Sequence, residues 1–143
     1  MAEFLDMPGF LIRRAHQTAT ALFADYMAQA NLPLTPFQFA ALSAIAAHPG
    51  LDQASVATMA DCDRATMGGV LDRLAERGLI LRQTSPKDRR AKVLDLTPEG
   101  AALLEQATPI AAKVQHQLTA GLHLDERQQL AVLLEKIVQQ RPA

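Results

Sequence analysis

A mainly α-helical chain carrying one small β-wing is the fold class this sequence predicts, and three observations predict it. Apolar residues recur at helical spacing through most of the 143 residues, most clearly at Met67, Val70, Leu71 and Leu74. One segment breaks that period: LILRQT and VLDLT read as two strands around the polar tip Ser85-Pro86-Lys87-Asp88-Arg89-Arg90. The charge is also uneven. Residues 64–92 hold eight basic side chains (Arg64, Arg73, Arg77, Arg82, Lys87, Arg89, Arg90, Lys92) against three acidic ones (Asp72, Glu76, Asp88), a local +5. The whole chain is −1, so the remainder sums to −6. A helix followed by a basic hairpin is the order of a winged helix-turn-helix, which sets one helix in the DNA major groove and a charged wing beside it.

Each element has its own justification. Residues 1–9, closing on Pro8-Gly9, are expected to be ordered only by a partner. A helix is expected from Phe10 to about Ala30, with Leu11, Ala15, Ala19, Leu22 and Tyr26 in one stripe widened by Ile12 and Phe23. His16 falls at the edge of that stripe and Arg14 on its other flank. Asn31-Leu32-Pro33 breaks the helix. Thr35-Pro36-Phe37-Gln38 starts the next with a threonine N-cap, proline at N1 and glutamine at N3, and FQFAALSAIAAH carries it to Pro49-Gly50. A shorter helix fits DQASVATMA, with Val56, Met59 and Ala60 facing inward. Asp61-Cys62 makes a tight connection to Asp63, which sits where an N-cap belongs. In the helix that follows, the face opposite the apolar stripe holds Ala65, Gly68, Gly69, Asp72 and Glu76, with Thr66 and Arg73 on its flank. Gly78 ends it, since glycine tolerates the left-handed conformation after a helix.

Beyond the hairpin, Thr97-Pro98-Glu99-Gly100 repeats the threonine-proline helix start. That helix is expected to run to about Thr119, with a kink at Pro109. After a break at Gly121, Asp125-Glu126-Arg127-Gln128 reads as another N-cap pattern. Leu130, Leu133, Leu134 and Ile137 then fall in register. The terminal helices, 10–31 and 98–139, carry more apolar surface than the 35–97 winged helix-turn-helix part can cover. A second copy is the simplest cover, because two-fold dimers are the commonest oligomers. Such a dimer would meet half-sites about 34–36 Å apart on a pseudo-palindromic operator.

Composition narrows the function classes. At 49% hydrophobic, residues 1–143 suffice for one domain with a buried core. No run approaches eighteen consecutive apolar residues and no signal peptide is evident, so neither a membrane partner nor export is expected. A single cysteine agrees with a reducing cytoplasm. No glycine-rich phosphate loop follows a strand and no nucleophile motif is present, so an enzyme is not expected. Concentrated cations are what phosphate contact and counterion release require. A merely solvated hairpin is the plain alternative.

Nearly the whole chain, about Leu11 to Ile137, resembles the MarR family of bacterial transcriptional regulators. The segments that carry the resemblance are LTPFQFAAL, DRATMGGVLDRLAERGLILR and, most specifically, DRRAKVLDLTPEG. It implies a homodimer that usually represses a promoter and is released by a small molecule. It also implies that Arg90 enters the minor groove while Asp88 holds the wing; minor-groove arginines read groove width and potential more than base identity. The expected DNA surface is therefore Arg64, Thr66, Gly68, Gly69 and Arg73 on the helix, with Arg82, Lys87, Asp88, Arg89 and Arg90 on the wing. One departure stands out: many relatives carry a polar or basic pair where this chain has Gly68-Gly69. Glycine inside a helix costs about 1 kcal/mol relative to alanine, so close approach of DNA or of a neighbouring helix is expected there.

RRAHQ, LTPFQFA, HPGLDQ and the DRAT-x-GGV helix are similar to members that respond to aromatic carboxylates or their coenzyme A thioesters. An aromatic acid needs an apolar slot and a cation or donor for its carboxylate. Arg14, His16 and Phe39 are the candidates for cation, donor and wall, each with a plainer reading as surface or core. No cofactor is expected. Two other sensing chemistries stay open. Cys62 is a candidate redox switch, although Asp61 and Asp63 should disfavour its thiolate. His16, His48, His116 and His123 are too scattered for a strong metal signal. A winged helix that binds protein instead of DNA is the remaining alternative, and salt dependence separates the two.

Overall fold

A computed structural model describes residues 3–140. Helices α1 (Pro8–Gln29), α2 (Pro36–Ala47), α3 (Gln53–Met59), α4 (Arg64–Glu76), α5 (Pro98–Leu118) and α6 (Leu124–Gln139) surround a small antiparallel sheet. Its strands are β1 (Leu51–Asp52), β2 (Ile80–Thr84) and β3 (Lys92–Leu96), in the order β1-β3-β2. The hairpin register sets Ile80 opposite Leu96 and Thr84 opposite Lys92. The third strand is new relative to the sequence reading: Leu51 pairs with Leu94 and Asp52 with Val93. Two residues are too short for any period to show, and their partner lies about forty positions on.

The core draws one or more side chains from most elements: Met27, Leu42, Ile45, Val56, Met67, Leu71, Leu74, Leu94 and Val114 are almost fully buried. The stripe on α4 therefore faces inward as expected, and it anchors the helix while leaving its other face to solvent. α1 packs against α5.

The helix starts are chemical. Thr35 accepts from the Gln38 N–H at 3.2 Å while the Gln38 side chain accepts from the Thr35 N–H at 3.0 Å, the expected capping box. Thr97 Oγ1 donates to the Gly78 carbonyl at 2.6 Å and accepts from the Gly100 N–H at 3.0 Å, which fastens the start of α5 to the end of α4. Gly100 is obligatory there: a Cβ would lie 2.0 Å from the Leu79 carbonyl oxygen.

Four expectations need correction. α1 begins at Pro8, not Phe10, because a proline at N1 lacks only an N–H that would be unsatisfied anyway. Glu3–Asp6 forms a 3-10 turn before it, with the Phe4 ring edge-on to Phe10 at 5.0 Å, so part of this segment is ordered by its own chain. Residues 1 and 2 lie outside the described residues. On α3 the inward stripe is Val56, Ala57 and Ala60, and Met59, more than a quarter-turn off that stripe, is half exposed. The α6 N-cap is His123 and not Asp125: the Glu126 carboxylate accepts from the His123 N–H at 2.8 Å.

Candidate DNA-binding surface and effector cavity

Aspartates hold both helices of the helix-turn-helix. Asp52 accepts from the Ser55 N–H at 2.8 Å, and Asp63 accepts from the Thr66 N–H at 2.8 Å and its hydroxyl at 2.7 Å. These bonds hold both carboxyls below the usual carboxylate range, through Ser55 at Asp52 and Thr66 at Asp63. The Arg64 charge pulls Asp52 in the same direction. The Thr66 hydroxyl proton is thereby committed to the cap, leaving its lone pairs and methyl group outward.

The eight cations of the basic segment fall into two groups. Three are engaged inside the fold: Arg77 Nη1 donates to the Pro33 carbonyl at 2.8 Å, Arg82 pairs with Asp72 at 2.6 Å, and Lys92 Nζ donates to Thr84 Oγ1 at 3.2 Å. The side chains of the other five, Arg64, Arg73, Lys87, Arg89 and Arg90, are exposed and make no hydrogen bond or ion pair among the described residues. Two stand on α4 and three at the wing tip. Sequence reasoning missed Asp72 and its link to Arg82. The available signal was an acid on the outward face of a helix that leads into a basic hairpin.

The wing tip is shaped by its backbone. Ser85 N–H donates to the Ala91 carbonyl at 2.9 Å, and Ser85 Oγ accepts from the Lys87 N–H at 3.2 Å. Asp88 Oδ1 accepts from the Arg90 N–H at 3.0 Å, an aspartate turn that presents Arg89 and Arg90 outward. On α4, a Cβ at Gly68 would meet nothing within 4 Å, and one at Gly69 would meet only Arg73 Nη1 at 4.0 Å. Among the described residues no other helix comes within 4 Å of either Cβ position.

The effector candidates do not converge within one chain. His16 lines an apolar cavity of about 610 Å³ between the first half of α1, the α5–α6 turn and α6, with Leu11, Ile12, Leu122, Leu130 and Leu134 in its wall. Among the described residues, His16 is the only titratable group lining it. Phe39 packs on Phe23, ring centroids 5.8 Å apart, and Arg14 stands exposed on α1; neither belongs to that wall. Cys62 is half-buried, and burial first, then Asp63 and Asp61, pushes its thiol above the ordinary range. His116 Nδ1 lies 3.2 Å from Arg127 Nη1, closing the α5–α6 turn. Among the described residues no three His, Cys, Asp or Glu side chains are placed to share a metal ion, and no helix is long and apolar enough to cross a membrane.

A capped helix pair with a basic three-stranded wing and unpaired cations on the outward face defines a winged helix-turn-helix DNA-binding protein. The chain belongs to the MarR family, whose pattern residues 34–92 match, and it is accordingly a transcriptional regulator and not an enzyme. It is 34% identical over 136 residues to the HTH-type transcriptional repressor NicR of Pseudomonas putida, covering 95% of this chain and 85% of NicR. Among solved structures it is similar to Bordetella bronchiseptica BpsR, described for regulation of its DNA binding by 6-hydroxynicotinic acid: 33% identity, TM-score 0.90, 96% and 97% of the two chains. It is equally similar to the repressor CouR bound to a 23-mer DNA duplex: 34% identity, TM-score 0.88, 96% of each chain.

Proposed function

We propose that this chain is a homodimeric cytoplasmic repressor, released from a pseudo-palindromic operator by a small aromatic carboxylate. The observation that carries the DNA reading is the set of five unpaired cations on α4 and the wing tip. In this reading α4 lies in the major groove with Arg64, Thr66, Gly68, Gly69 and Arg73 against the DNA. Lys87 and Arg89 meet phosphates, Asp88 holds the tip, and Arg90 enters the minor groove. Arg82 acts from beneath by holding Asp72.

The dimer is supported by α6, which buries none of its residues within one chain and, outside the His16 cavity, exposes Val132, Leu133, Ile137 and Val138. The effector class is supported by the regulation of BpsR by 6-hydroxynicotinic acid. The His16 cavity falls within the range of about 300–1,000 Å³ usual for small-molecule sites. His16 is assigned to the effector carboxylate, with Arg14 and Phe39 as further candidates on α1 and α2. A coenzyme A thioester of such an acid is the alternative form of the effector.

The test is operator binding against salt, followed by ligand. Affinity should fall steeply between 50 and 200 mM salt, roughly 10³-fold or more for several phosphate contacts. A flat salt response would overturn the DNA reading and favour a protein partner. In a thermal-shift panel of benzoic, hydroxycinnamic and hydroxynicotinic acids and their thioesters, at least one compound should stabilise the wild type and not His16→Ala. No stabilisation by any of them would reject the effector class.

A further inference from the structure

We infer that Gly68 and Gly69 keep the outward face of α4 bare so that the helix backbone itself seats against the DNA, leaving base discrimination to Arg64 and Arg73 on either side. The inference rests on the DNA-binding reading above and adds to it a division of labour along the helix.

Glycine is among the poorest residues in a helix interior because it loses the most backbone freedom. Two in succession, at the fifth and sixth positions of a thirteen-residue helix, weaken α4 where it should be strongest. Neither has a positive φ, unlike Gly50 and Gly78, so their conformation suits any residue. Neither is crowded: Gly68 faces open space and Gly69 is at ordinary contact distance from one side-chain nitrogen. Gly100 shows the opposite case, where a backbone oxygen fills the Cβ position. Among the described residues nothing calls for the pair, so the demand comes from outside them.

The surroundings say what that outside body is. The pair faces away from the buried stripe of Met67, Val70, Leu71 and Leu74, one turn from Arg64 on one side and from Arg73 on the other. The Arg73 side chain runs back along the helix, with Nη1 4.0 Å from the Cβ position of Gly69, and carries no partner of its own. A helix side chain normally points this way, toward the N-terminus. A bare patch overhung by an unpaired guanidinium fits an anionic polymer. The major groove is about 12 Å wide and a helix with side chains about 10–12 Å across, so a helix stripped on one side sits deeper. At that depth Arg64 and Arg73 can reach guanine O6 and N7, the commonest bidentate pairing.

The experiment uses Gly68→Ala, Gly69→Ala and the double variant of the full chain. The probe is a DNA duplex selected by the wild type from a random-sequence pool, with an unselected duplex beside it. Each alanine should raise Tm by about 2–4 °C, while affinity for the selected duplex falls by about tenfold or more in the double variant. Affinity for the unselected duplex should change by less than about twofold, since phosphate contacts dominate it. Wild-type affinity for the selected duplex in a stabilised double variant would overturn the inference. So would a fall in Tm, which would show that the fold itself needs the glycines. A wild type that enriches no duplex from the pool would instead defeat the DNA-binding reading, and this inference with it.

Discussion

Arg82 Nη2 lies 2.6 Å from Asp72 Oδ1, so the first wing strand is tied to the outer face of α4. Asp72 remains 61% exposed, and a pair so open to water adds about 0–1 kcal/mol to stability. Its consequence is geometric: β2 and α4 must keep one mutual angle for groove and wing contacts to form together. Asp72→Asn and Arg82→Gln should each shift Tm little yet weaken operator binding about 3–10-fold. The double variant should be no worse than the poorer single one. Additive losses in a double-mutant cycle would show that the two residues act independently.

Gly100 is the position where the fold tolerates least. Alanine there would force its Cβ against the Leu79 carbonyl oxygen, on the segment that receives the Thr97 N–H at 3.1 Å. Overpacking against backbone costs about 1–3 kcal/mol or more. Gly100→Ala should therefore lower the urea midpoint clearly. A wild-type midpoint would contradict the close approach of α5 and the turn after α4.

How much of this was legible follows from the range of each interaction. The Thr35 box, the Asp63 and Thr97 caps and the α4 stripe are each written within eight residues of chain, and all four stand as read. What escaped was set by distant chain. β1 exists only because β3 reaches it, and Arg82 meets Asp72 only once the wing folds against α4. The bond from Arg77 to Pro33 spans 44 positions and turns an expected free cation into a brace. For the site, sequence reasoning left Arg77 and Lys92 off the DNA surface but counted Arg82 on it, because nothing near Arg82 in the chain shows that it will meet Asp72. The effector candidates were chosen by residue type. Only His16 reaches the cavity, because Phe39 is held by Phe23 and the Arg14 side chain is left exposed.

The capping aspartates predict an acid limb. Asp52 and Asp63 both titrate below their ordinary 3.8 in the folded chain, so the unfolded chain binds protons more readily. Their contribution is complete above the ordinary value. It drains away as pH falls below 3.8 and is gone once the folded carboxyls are protonated too. Asparagine caps nearly as well without titrating. The Tm of the Asp52→Asn/Asp63→Asn double variant should therefore match wild type above pH 5 and fall less steeply below pH 4. Parallel acid limbs would show that these caps do not supply the linkage.

Cys62 should be a slow thiol. Burial and two flanking carboxylates oppose the thiolate, and thiolate fraction governs both alkylation and oxidation. Its reaction with iodoacetamide at pH 7 should be slower than that of a free cysteine. Mild peroxide should leave operator binding unchanged in wild type and in Cys62→Ser alike. Loss of binding in wild type alone would revive a redox switch.

Arg90 offers the sharpest test of the wing. Its backbone N–H is held by Asp88 at 3.0 Å while its own guanidinium is unpaired and exposed, so removing the side chain disturbs no contact of the fold. Arg90→Ala should keep the wild-type Tm and oligomeric state. It should still lose operator affinity by about tenfold or more, with the salt slope reduced by about one. Asp88→Ala should act differently. It leaves every cation present but frees the tip that aims them, so affinity should fall with the salt slope nearly unchanged. Wild-type operator affinity in Arg90→Ala would overturn the placement of this side chain in the minor groove.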